Sequence, residues 1–132
     1  MVVLLGALGI VACGGGGDGP KAAGPKTAGG RVLRQAEVKR CLKHQRLLLA
    51  SRRTETGIDF TAYWKDGRNR ADFGVEPSPE AAATRQDAWE KLAKQANVEN
   101  PQAYYARYGN VVVGYQRLPT RADRALLERC LT

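Results

Sequence analysis

One histidine, His44, is all this chain of 132 residues contains. That scarcity excludes metal centres built on several imidazoles and leaves Ser-His-Asp hydrolysis dependent on His44 alone. No Gly-x-Ser-x-Gly elbow, no phosphate-cradling glycine loop followed by Lys, and no Cys-x-x-Cys pair occurs, so hydrolase, nucleotide and dithiol-redox chemistry lack their usual motifs. The longest apolar run, Val2 to Ala12, falls well short of the about twenty residues a membrane-spanning helix needs. Hydrophobic residues at 43% and charged residues at 26% exclude wholesale disorder and a polytopic membrane protein. No cofactor and no metal site is expected.

Glycine divides the chain. Ten of the fifteen glycines fall in the first thirty residues, where charges are few. No core can form there, so the part able to fold begins near Arg31, and its length allows one modest core. The expected domains are 1–12, a removable signal; 13–30, a tether; and 31–132, one small α+β domain.

The apolar run ends in Ile10-Val11-Ala12-Cys13. This junction resembles the lipobox of bacterial lipoproteins: a branched residue at −3, Ala at −1 and Cys at +1, although no Lys or Arg precedes the run. The resemblance implies cleavage before Cys13, diacylation of its sulfur (a palmitate-type anchor) and a membrane-bound protein facing away from the cytoplasm. Gly14 to Gly30 then reads as a flexible tether with a root-mean-square reach of roughly 23 Å.

Within 31–132, apolar periodicity predicts a first helix over Gln35–Arg46, with Val38, Cys41, Leu42 and Gln45 inward and Lys39, Lys43 and Arg46 outward. Leu47 to Ala50 predicts a strand or an extended entry to the sheet. Asp66-Gly67 predicts a type I′ hairpin over Ile58–Val75. Its register sets Phe60 opposite Phe73, Ala62 opposite Ala71 and Ile58 opposite Val75 on an apolar face, with Thr61, Tyr63, Arg70 and Asp72 on a solvated one. Ser78-Pro79-Glu80 starts a second helix to about Asn97, with Ala88, Trp89, Leu92 and Ala96 inward. A second hairpin turns at Gly109-Asn110, with Tyr104, Ala106 and Tyr108 facing Tyr115, Val113 and Val111. Thr120 and Asp123 cap a last helix lined by Ala122, Leu126, Leu127, Cys130 and Leu131.

The order α-ββ-α-ββ-α predicts an α+β fold, a mostly antiparallel sheet of four or five strands from two hairpins with the helices on one face. A ferredoxin-like arrangement is the alternative. The layout is also similar to small exported bacterial proteins that begin with a Cys-bearing helix and end in a helix like Glu128-Arg129-Cys130-Leu131; this likeness implies no activity.

In an exported protein, Cys41 and Cys130, both on inner helix stripes, are expected to form a disulfide. Cys41-x-x-His44 is the nearest thing to a metal-ligand set. Asp59 and Asp72 are expected to lie diagonally on the outer face of the first hairpin, within reach of a paired role in acid/base chemistry.

The net charge of +8 is uneven: residues 31–53 hold eight Lys/Arg against one Glu, and residues 101–132 hold five against two. A Cys41–Cys130 bond would merge two basic helices into one cationic patch of Lys39, Lys43, Arg46, Arg121, Arg124 and Arg129. With Tyr104, Tyr105 and Tyr108 nearby, a cytoplasmic protein of this kind would point to nucleic acid. Export points instead to anionic lipid headgroups or acidic wall polymers, with no nucleic-acid partner. The expected function is a membrane-tethered, non-catalytic binding or envelope-associated module; the alternative is a small exported enzyme using Asp59, Asp72 or His44.

Overall fold

The computed structural model describes residues 31–51 and 57–132. The signal, Cys13 and the tether lie outside the described residues. The elements run α1 (Gln35–His44), β1 (Leu48–Ser51), β2 (Phe60–Tyr63), β3 (Arg70–Val75), α2 (Pro79–Gln95), a 3₁₀ turn (Pro101–Tyr104), β4 (Tyr105–Tyr108), β5 (Val111–Tyr115) and α3 (Arg121–Leu131). The fold is α+β, with one five-stranded antiparallel sheet in the order β1-β2-β3-β5-β4. No helix among the described residues is long and apolar enough to cross a membrane.

Both expected registers hold: Phe60 pairs with Phe73 and Ala62 with Ala71, Tyr105 with Gly114 and Tyr108 with Val111. Leu48–Ser51 adds an edge strand against β2, so the first unit is a three-stranded meander and the order is α-βββ-α-ββ-α. The ferredoxin-like alternative needs a β-α-β-β-α-β sequence of elements, which this order excludes.

The turn at Asp66-Gly67 differs from the expected two-residue type I′ form. Trp64 N–H donates to Asn69 O (3.1 Å) and Gly67 N–H to Trp64 O (2.9 Å), which makes a four-residue loop. Gly67 alone in it takes a positive φ, 71°. Asp66 stays out of the left-handed region and its Oδ1 accepts from Arg68 N–H, the Asx-type alternative open to this side chain.

Helices cover both faces of the sheet, which corrects the one-face arrangement. On the first face, Val38 and Leu42 of α1 and Leu127 and Leu131 of α3 pack with Phe60, Phe73, Val111 and Val113 in the main core. On the reverse face, Ala82 and Trp89 of α2 pack with Val112, Ile58 and Tyr105. The reverse face accepts a helix because β3 and β5 place Gly74 and Gly114 there, and a Cβ on either would stand 3.4–3.5 Å from the Trp89 ring. Ile58 joins this second cluster while Val75 joins the first, since Asp59 Oδ2 accepts from Val75 N–H (2.7 Å) and ends the regular pairing.

The inner stripe of α2 is correspondingly rotated. Ala82 and Trp89 are buried, whereas Ala88 and Ala96 are exposed and Leu92 is 54% exposed. In α3, Ala122 is exposed and Asp123 is buried in its place, as the Thr120 capping box turns that carboxylate inward to Arg68 (2.9 Å).

Candidate functional site

A cleft of about 380 Å³ lies between the C-terminal half of α2 and the reverse face of the sheet. Its floor comes from alternate residues of β3 and β5, Arg70, Asp72 and Gly114, which period-two geometry sends to the same side. Trp89, Leu92 and Ala93 of α2 form one wall, Tyr105 and Gln116 another, and Ile58 closes one end. A smaller hollow of about 270 Å³ continues it past Tyr104.

Local sequence places each wall. Ser78 Oγ accepts from Ala81 N–H and Pro79 opens α2, which fixes the helix start. At the other end Asn97 takes φ 59°, and the N–H groups of Val98 and Asn97 donate to Ala93 O and Lys94 O. This is a Schellman termination, which folds Val98 back beside Ala93 as the lip of the cleft. Leu92 and Val98 remain 54% and 38% exposed there, apolar surface with nothing over it among the described residues.

The Trp89 and Tyr105 rings meet with centroids 6.2 Å apart, tilted by 47°. Burial, together with the carboxylates of Glu90 and Asp72, pushes the Tyr105 hydroxyl above its ordinary range, so both carboxylates act on this end of the cleft. Asp72 Oδ1 accepts from the buried Thr61 hydroxyl at 2.6 Å, which orients its carboxylate. The side chain of Arg70 makes no ion pair among the described residues, and its Nε is buried without a hydrogen-bond partner. An orphaned buried donor costs on the order of 1–3 kcal/mol, so this is a group left ready for an acceptor.

The residues singled out from sequence are distributed as follows. Cys41 and Cys130 form a disulfide, Cα–Cα 5.6 Å, which joins α1 to α3. Lys43, Arg46, Arg121 and Arg129 are exposed on or beside those helices. Lys39 is turned back onto the sheet, its Nζ 3.2 Å from Ser51 Oγ and 5.2 Å from the centre of the Phe60 ring. Arg124 is half-buried and donates to Ala103 O (3.3 Å). Arg121 stands nine residues before Cys130, about 13.5 Å at 1.5 Å per residue, at the end of α3 away from the disulfide.

Asp59 and Asp72 do share the first hairpin; Asp59 Oδ2 accepts from Val75 N–H, and Asp72 is held through Oδ1 alone by Thr61. His44 is exposed at the end of α1, the helix that packs on the opposite face of the sheet from Asp72. No group of three His, Cys, Asp or Glu among the described residues could hold a metal ion.

Sequence reasoning missed the cleft because it assigned every helix to one face. The signal was the alternation Asp72-x-Gly74 and Val112-x-Gly114, small residues where a large side chain from another layer must approach. Comparison with protein-family models, with curated proteins and with solved structures gives no match.

Proposed function

We propose that this chain is a lipid-anchored, non-catalytic binding module of a bacterial envelope, tethered outside the cytoplasm through Cys13, with the cleft beneath α2 as its ligand site. The observation that carries the reading is the cleft itself: aromatic and aliphatic walls around a few convergent polar groups, the usual composition of a small-molecule site. Binding is favoured over catalysis because Asp72 is the one carboxylate among the described residues that lines the cleft, Asp59 serves a structural hydrogen bond from Val75 N–H, and His44 belongs to the other layer. Two acyl chains on Cys13 would hold the domain stably, where one gives only marginal attachment.

The exposed cations Lys43, Arg46, Arg121 and Arg129 are suited to rest against anionic headgroups or wall polymers, each contributing about 1 kcal/mol near an anionic leaflet and less as salt rises. Mass spectrometry of the membrane fraction tests the anchor: the expected N-terminal peptide begins at Cys13 with added diacyl mass, and one beginning upstream or lacking lipid defeats the assignment. Titration of the full chain with small amphiphiles, followed by NMR, tests the cleft. Signals of Trp89, Tyr105 and Gly114 should move first; shifts confined to α1 and α3 count against it.

A further inference from the structure

We propose that the cleft takes up a small zwitterion with an apolar side chain, the chemistry of a free apolar α-amino acid, its carboxylate on Arg70, its ammonium on Asp72 and its side chain against Trp89, Leu92 and Val98. The assignment rests on the reading of the cleft as the ligand site. Arg70 and Asp72 are two residues apart on β3 and line the same cavity, which sets their Cα atoms about 6.5–7 Å apart along the strand. They carry opposite charge, and neither takes part in any ion pair of the described residues.

Each simpler ligand leaves one of these groups in the wrong company. A hydrocarbon would cover the apolar walls and strip water from both charges without replacing it. An anion alone would pair with Arg70 and face Asp72; a cation alone would do the reverse. A zwitterion answers both, and Thr61 already holds the Asp72 carboxylate by one oxygen, so little ordering is left to be done on binding. The ammonium end would also sit near the Trp89–Tyr105 pair, whose electron-rich ring faces favour a cation. The cavity of about 380 Å³ lies at the small end of the roughly 300–1,000 Å³ range of ligand pockets, the size of a single residue rather than a chain.

The test is equilibrium dialysis with the full chain in nanodiscs of neutral phospholipid, empty nanodiscs as blank. The probes are L-phenylalanine, L-leucine, N-acetyl-phenylalanine, phenylalanine amide and benzyl alcohol. Phenylalanine and leucine should bind about tenfold or more tightly than the acetylated form, which lacks the ammonium, and the amide, which lacks the carboxylate. Arg70→Gln should erase the preference over the amide only, and Asp72→Asn the preference over the acetylated form only, a crossed pattern that general unfolding cannot produce. Blocked derivatives or benzyl alcohol binding as tightly as the amino acids would overturn the zwitterion assignment and leave the cleft a ligand site. No binding of any probe up to about 10 mM, an affinity too weak to be specific, would overturn both. Should either variant fail to fold, the ligand series on the unaltered chain still decides the matter.

Discussion

Gly114 and Tyr105 face each other across β5 and β4, and a Cβ built on Gly114 would stand 2.9 Å from Tyr105 Cε1. The glycine therefore fixes where the tyrosine ring lies, and the ring in turn shapes one wall of the cleft against Trp89. Gly114→Ala must push that ring aside. Its backbone suits alanine, since it is not among the positive-φ glycines, so the cost is steric alone. A loss of about 1–2 kcal/mol is expected from the overpacking, with a lower Tm and an altered near-ultraviolet circular dichroism of the Trp89–Tyr105 pair. Unchanged stability and spectrum would show that the wall is not fixed by this contact.

The Cys41–Cys130 bond joins α1 to α3 through two residues 89 positions apart in sequence. Restricting so long a loop in the unfolded chain stabilises a small domain by about 2–5 kcal/mol. Urea unfolding with and without reductant should show a drop in unfolding free energy of that size, read as a lower midpoint at similar slope. The paired variant Cys41→Ala/Cys130→Ala should match the reduced protein, because the sulfurs add little packing beyond Leu42, Leu127 and Leu131, which fill the space between the helices and the sheet.

The hairpin registers were legible in the sequence because one face of each strand is uniformly apolar, and a slip by one residue would have buried Arg70 or Asp72 in place of Ala71 or Phe73. Helix caps were legible for a similar reason: Ser78 and Thr120 have local hydrogen-bonding roles that tertiary contacts do not alter. The side of the sheet each helix takes was not. Trp89 is apolar enough for either face, and only the absence of side chains at Gly74 and Gly114 decides where it fits. Of the candidate site, the disulfide was legible, because both cysteines fall on the inner stripes of their helices. The contacts of the basic side chains were not legible, since a charge pattern on a helix does not reveal that Lys39 folds back over Phe60 or that Arg124 reaches Ala103 O.

Asn110 is buried at the tip of the β4–β5 hairpin and holds three backbone groups: Oδ1 accepts from Leu33 N–H, and Nδ2 donates to Leu33 O and Glu76 O. It thereby ties the point at which the chain enters the domain to the end of β3. Asn110→Ala leaves these groups without partners, at a cost of about 2–4 kcal/mol. Asn110→Asp keeps the acceptor but sets a carboxylate against two carbonyls, and should fare no better. Hydrogen exchange at the Leu33 amide is the local measurement, expected to quicken well before the strands open.

Alkali acts on this protein through its buried and half-buried tyrosines. Burial pushes the hydroxyls of Tyr105, Tyr108 and Tyr115 above their ordinary range, aided at Tyr105 by Glu90 and Asp72 and at Tyr108 by Glu128. In the unfolded chain these hydroxyls ionise near pH 10, the ordinary tyrosine value. A folded-state value above the unfolded one means that the folded state holds its protons longer. Stability is therefore intact below about pH 10 and falls as pH rises above it, while the unfolded chain releases protons the folded chain retains. Absorbance at 295 nm should show part of the phenolate signal of the five tyrosines appearing only as the protein unfolds. Tyr105→Phe should remove one late-ionising group and flatten the alkaline loss of stability. A smooth, reversible titration of all five near pH 10, with the fold retained, would show these rings to be open to water.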